Sequence, residues 1–146
     1  MPSYKAPIRD MQFLLHEVLG FEDVTKYDAF SEVDADLADA VLEQAAKFAE
    51  DVLTPLNIIG DHEGCVRHAD GSVTTPTGFK DAYKQMTENG WTGLSLDPEY
   101  GGQGMPGMLQ LAASEMWTSS NMAFAMYPGL TGGAINVSNG VLAPAG

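Results

Sequence analysis

One cysteine, three histidines and seven basic side chains are all that the 146 residues hold of those types. Cys65, alone, makes no internal disulfide, so the fold does not depend on an oxidising compartment. Seven lysines and arginines against twenty carboxylates give a formal charge of −13. That excludes nucleic acid and anionic membranes as main partners, because both are polyanions. Long hydrophobic runs are missing too. Charge or glycine interrupts every apolar stretch well short of the ~20 residues that a membrane span needs. The N-terminal residues Met1 to Pro7 have no apolar region behind Lys5, so no secretory signal is expected; a soluble cytoplasmic or organelle-lumen protein is the default, and cytoplasmic is the expectation. Sustained alternation of apolar and polar residues is absent, as is any internal repeat.

The residues that are present divide unevenly. With 45% hydrophobic residues, the chain has the composition of one globular domain. Glu22 to Asp51 carries ten carboxylates and two lysines, the pattern of solvated helix faces. After Lys84 there is no basic residue, and the only acids are Glu88, Asp97, Glu99 and Glu115. That second stretch holds both tryptophans and most of the glycines and methionines, and it reads as a surface made to be covered.

Periodicity predicts five helices and an all-α fold. Asp10 is expected to cap the first, with Met11, Leu14, Leu15, Val18 and Leu19 as one apolar stripe, His16 exposed and Gly20 as C-cap. A second starts near Asp34 or Asp36 and keeps its period through Ala38, Val41, Leu42, Ala45, Phe48, Ala49 and Val52. Pro55 is expected to end or kink it. Between Asn57 and Thr77 the pattern reads as loop. Thr77 is expected to cap a third helix with Phe79, Ala82, Tyr83 and Met86 inward, closed by Gly90. After a turn-rich stretch, a fourth begins near Pro106 with Leu109, Ala112, Ala113 and Met116 as its apolar positions. Ser119-Ser120-Asn121 breaks it from a fifth, Met122 to about Ile135. This last helix is apolar almost all round and must be buried, so a partner domain, a subunit or self-association is implied.

No catalytic set stands out from the residues themselves. Gly102-Gln103-Gly104-Met105-Pro106-Gly107 spells G-x-G-x-x-G, but no convincing strand precedes it and Pro106 removes an amide. Its glycines are expected to serve a tight connection between helices instead. His62, Cys65 and His68 have ligand chemistry but not the paired spacing of structural zinc sites, so no metal is expected. Neither histidine is placed to activate the thiol, and Asn136-Val137-Ser138 is a glycosylation sequon by letters only.

The loop residues do carry a resemblance. Asn89-Gly90-Trp91-Thr92-Gly93-Leu94 followed by Asp97-Pro98-Glu99-Tyr100-Gly101-Gly102-Gln103-Gly104 resembles the G-W-x-x-L…P-E-x-Y-G-G-x-G signature of flavin-dependent acyl-CoA dehydrogenases. Leu53-Thr54-Pro55-Leu56-Asn57 with Asp61-His62-Glu63-Gly64 is similar to another stretch of that family's N-terminal helical domain. Tyr4 to Met11 resembles the short N-terminal extension of a longer subgroup that includes methylmercaptopropionyl-CoA dehydrogenases.

The resemblance implies a helical bundle like that N-terminal domain: an extension helix and linker over 1–33, the domain over 34–136 and an atypical tail over 137–146. It also implies that the parent enzyme uses FAD to dehydrogenate an acyl-CoA thioester between its α and β carbons. By resemblance, the catalytic glutamate and most of the flavin site belong to later domains, so no catalytic residue is assigned here. This chain alone is expected neither to bind FAD nor to turn over. The helix after Ser-Ser-Asn corresponds to a wall of the acyl pocket, which places Ala123, Phe124, Tyr127 and Thr131 in substrate binding. The ending after Asn136 departs from the family and reads as a truncation, a frameshift or a deliberate cut. The competing expectation is a free-standing acidic helical module whose Met-rich second half docks a protein partner.

Overall fold

Asp34 starts the longest helical column of the molecule. Its carboxylate accepts from the Leu37 amide at 2.8 Å, satisfying a first-turn N–H that has no partner within the helix. In the computed structural model, which describes residues 3–142, that column is α2 (Ala35–Lys47), a π-turn (Phe48–Leu53) and α3 (Thr54–Glu63). Pro55 therefore neither ends nor kinks the run. It sits in the first turn of α3, where its missing N–H costs little. The π-turn before it lets the Ala49 carbonyl accept both the Thr54 N–H and the Thr54 hydroxyl, the latter at 2.8 Å.

The loop expected over 57–77 is corrected twice. Helix continues to Glu63, and a minimal antiparallel hairpin follows, β1 (Val66–Arg67) and β2 (Val73–Thr74). Asp70 shapes its turn by accepting from the Ser72 amide and hydroxyl, and Gly71 takes φ 87°. Strands of two residues are too short for alternation to show in the sequence.

The first helix also differs from expectation. α1 (Ile8–Phe13) has Pro7 before it rather than an Asp10 cap, and it passes into a π-turn over Leu14–Val18. Each residue advances about 100° round an α-helix, so a wider turn shifts the stripe. Met11 and Leu15 are buried, whereas Leu14, Val18 and Leu19 face outward. His16, expected to be exposed, is wedged between Glu22 and Asp39.

α4 (Phe79–Glu88) buries Phe79, Ala82 and Met86 as its period predicts, while Tyr83 turns outward. Its N-cap is Gly78 at φ 84° rather than Thr77, whose amide donates to Glu63 at 2.6 Å. A Cβ on Gly78 would lie 2.6 Å from Leu56 Cδ2. The turn-rich stretch then leads to α5 (Gly107–Ser120) and α6 (Met122–Leu142). Side chains of α2, the π-turn, α4, α5 and the Trp91 turn meet in one core, with Leu42, Leu53, Met86, Leu94, Leu109, Met116 and Phe124 completely enclosed.

Asn121 explains the break between the last two helices. Its amide donates to the Leu53 carbonyl at 3.2 Å, and its side-chain oxygen accepts from the Phe124 N–H at 3.0 Å. One buried side chain thus caps α6 and ties it to the central column. The tail expected over 137–146 falls partly outside the described residues, although the α6 backbone runs to Leu142. Among the described residues, no helix is long and apolar enough to cross a membrane.

Candidate functional site

Phe124 enters the core from the first turn of α6, and Phe79 from α4 meets it edge to face at 5.7 Å between ring centroids. The Phe79 ring can lie there only because Gly60 has no side chain, since a Cβ would come within 2.8 Å of Phe79 Cζ. Tyr127, one turn along α6, completes an aromatic cluster at 6.3 Å from Phe124 and 6.5 Å from Phe79. Its hydroxyl lies 3.7 Å from Cys65 Sγ at the foot of the hairpin. That contact, followed by burial, raises the Tyr127 pKa above its ordinary value.

Phe79, Phe124 and Tyr127 line a solvent-open groove of about 460 Å³, with Val73 and Thr75 on its hairpin side and Lys80 and Tyr83 on its α4 side. The structure therefore brings two of the four sequence-predicted wall residues into one cavity. Ala123 and Thr131 are exposed on α6. At 100° per residue, all four positions fall within one sector of about 100° of that helix. Sequence reasoning missed the opposite wall. Phe79 was legible only as a core residue, Lys80 only as a charged position of α4, and Val73 depends on a hairpin too short to recognise.

Beside this sector, Met122, Met126 and Leu130 follow one another at i, i+4 and i+8, and Leu130 is 77% exposed. The helix that the sequence requires to be buried is thus covered in this chain on the Phe124 side and open on the other. Two further concavities lie elsewhere. A groove of about 570 Å³ runs between α2 and the Trp91 turn, across the core from the aromatic cluster. A second, of about 330 Å³, lies between α5, α6 and that turn, walled by Trp91, Trp117 and small or hydroxyl side chains. Trp117 is nearly buried there, and its indole N–H has no acceptor among the described residues.

The Gly-rich loop serves the fold. Gly102 packs against the Leu96 carbonyl so closely that a Cβ would lie 2.0 Å from its oxygen. The amides of Gly101, Gly102, Gln103, Gly104 and Met105 donate to Pro98, Asp97, Gly93, Leu96 and Leu94 in turn. An amide already bonded within its own loop has nothing to offer a pyrophosphate. The residues here therefore do not form a diphosphate cradle for a flavin. His62, Cys65 and His68 do not converge either. The His68 ring bonds to the Thr74 hydroxyl at 2.7 Å. No group of three or more His, Cys, Asp or Glu side chains able to hold a metal comes together among the described residues.

Comparison with known proteins agrees with the loop motifs. The chain is 39% identical over 134 residues to a 3-methylmercaptopropionyl-CoA dehydrogenase of Ruegeria pomeroyi, covering 92% of this chain and 23% of that protein. It is 33% identical over 133 residues to a broad-specificity linear acyl-CoA dehydrogenase of Mycobacterium tuberculosis, covering 90% of this chain and 22% of that one. The chain thus spans less than a quarter of the length of these curated relatives. Residues 36–140 match the model of the acyl-CoA dehydrogenase N-terminal domain, and the chain belongs to that family.

Proposed function

We propose that this domain forms one wall of the acyl site of an enzyme that dehydrogenates acyl-CoA thioesters, with Ala123, Phe124, Tyr127 and Thr131 facing the acyl chain. The observation that carries this reading is the aromatic cavity of Phe79, Phe124 and Tyr127, set against the open sector of α6. An apolar, largely pre-formed wall suits an alkyl chain and excludes water from the reacting carbons. The dehydrogenation also needs a base to take the α-proton and a flavin, FAD in this family, to accept the hydride. Neither is assigned to this stretch, because the one Gly-rich loop spends its amides internally and no acid lines the cavity. The exposed Met122, Met126 and Leu130 stripe packs against another part of the enzyme or a second copy of the chain. At ~25 cal/mol per Å² of apolar surface, covering a few hundred Å² there strongly favours association.

A chimera tests the assignment, with this chain replacing the matching segment of the Ruegeria pomeroyi relative. The expected result is a flavin-loaded enzyme that reduces a dye acceptor with an acyl-CoA, and whose KM for longer chains rises on Thr131→Phe. A flavin-loaded chimera without turnover, or one indifferent to substitution at Thr131, overturns it. The 146-residue chain alone is expected to show no stoichiometric FAD binding by fluorescence titration.

A further inference from the structure

Asn121, Phe124, Ala125 and Tyr127 fasten α6 to the rest of the molecule, and all four lie ahead of Pro128. Across residues 128–135 none is buried. Pro128 stands inside the helix. It lacks the N–H that would bond to the Phe124 carbonyl, and its ring crowds that carbonyl, so the helix is weakened there. Glycine follows at positions 129, 132 and 133. Each glycine lowers the helix–coil equilibrium about fivefold relative to alanine, and three together lower it roughly a hundredfold. None of the three has a positive φ, and a Cβ on any of them would meet nothing within 4 Å. Neither a turn nor close packing within the chain therefore requires them. Helices in proteins owe most of their stability to packing. By that measure α6 is firm before Pro128 and marginal after it.

The marginal stretch borders a groove rather than a filled core. Pro128, Gly129, Gly132 and Gly133 line the concavity of about 330 Å³ whose other walls include Trp91, Ser114 and Trp117. The Trp117 indole N–H is shut off from solvent and has no acceptor among the described residues. A buried donor left unpaired penalises the arrangement that buries it. Weak helix propensity and the unpaired donor thus favour the same change, a movement of this wall that admits water.

We propose that α6 is hinged at Pro128, with residues 122–127 as a fixed stem and residues 129–135 as a lid that unwinds from the groove and re-forms over it. In the closed arrangement the lid shuts in Trp117, and in the open one the indole bonds to water. Local opening requires few buried contacts in the part that moves, and α6 has few beyond its hinge. The hinge concerns how α6 moves and not what it faces, so the acyl-wall reading stands or falls separately.

The test is hydrogen exchange of the 146-residue chain, followed by NMR at fixed pH and corrected for intrinsic rates. The amides of Asn121, Phe124 and Ala125 report the stem, those of residues 130–135 the lid, and the Trp117 indole N–H the groove. A step at Pro128 is expected, with lid amides about tenfold or more less protected than the stem. Gly129→Ala/Gly132→Ala/Gly133→Ala is expected to raise lid protection by roughly tenfold to a hundredfold. The same variant should slow exchange of the Trp117 indole in parallel and leave the stem unchanged. Pro128→Ala, which restores the missing N–H, is expected to remove the step. Lid amides as protected as the stem overturn the hinge. So does a smooth decline along α6 that Pro128→Ala leaves unaltered, because that is ordinary fraying of a helix end. An indole exchange rate indifferent to the alanine variant overturns the lid, because residues 129–135 then do not cover Trp117.

Discussion

The N-terminal segment and α6 both lie against the α2–α5 core, yet they are attached by opposite means. Polar clasps hold the N-terminal segment. Lys5 and the Ala6 amide both donate to Glu50, and His16 bridges Glu22 and Asp39 at 3.1 and 3.0 Å. Met11, Leu15 and Phe21 give it a modest apolar foot. α6 is held by Phe124 and by the two hydrogen bonds of Asn121, and its Met122, Met126 and Leu130 side chains stay exposed. A clasp of charges leaves a segment that water can finish, because the partners are already hydrated or paired. An apolar anchor on a helix that is apolar all round leaves a face that only another apolar surface can finish. Under the proposed reading, α6 is the side of this domain that meets a partner surface.

Removing the anchor of α6 should have the largest effect. Phe124→Ala empties a fully buried aromatic position and is expected to cost about 3–5 kcal/mol in urea unfolding. A loss under about 1 kcal/mol would mean that α6 is not part of the cooperative core. Asn121→Ala should cost less, about 1–3 kcal/mol, because it leaves the Leu53 carbonyl and the Phe124 amide without their buried partner. Asn121→Asp separates the two bonds, since it retains the cap and loses the donor to Leu53. Leu130→Lys should leave stability within about 0.5 kcal/mol, the range expected of an exposed site. It should nevertheless weaken self-association in sedimentation and reduce binding of a hydrophobic dye. A monomer that binds no dye before the substitution would contradict the open-face account.

The smallest expected effect belongs to the polar clasp. The hydrogen bond to Asp39 raises the His16 pKa most; burial opposes it, and the bond to Glu22 adds to the rise. A group whose folded pKa is raised binds its proton more tightly in the folded state. The stabilisation is therefore complete below the ordinary value near 6.5 and is lost as pH rises through the higher folded value. His16→Gln should remove that dependence as pH rises above the ordinary histidine value, and urea midpoints measured across neutral pH test it. An unchanged pH profile would show that the clasp contributes nothing through charge.

Much of the core was legible because helices signal themselves locally. Ala38, Leu42, Ala45 and Ala49 on the central column, Phe79 and Met86 on α4, and Leu109, Ala113 and Met116 on α5 are buried where their period puts them. The Asn121 break was legible as well. Misreadings cluster where hydrogen bonding departs from the regular ladder. The π-turns at Leu14–Val18 and Phe48–Leu53 alter which residues share a face and let Pro55 pass without ending the helix. The cavity was half legible. Phe124 and Tyr127 follow from their place after the break, but their opposite wall comes from α4 and a hairpin distant in sequence.

The sequence alone determined the helical class, the break at Asn121, the apolar character of α6 and the family to which the loop motifs belong. Each rests on residues close together in the chain, where period, capping and turn chemistry act over a few positions. Only the tertiary structure decided that Gly60 makes room for Phe79, that the loop amides are satisfied internally, and that Val73 and Lys80 line the same groove as Phe124 and Tyr127. Those outcomes depend on which surfaces meet across long separations, and packing settles them because two groups cannot fill one volume and a buried amide must find an acceptor.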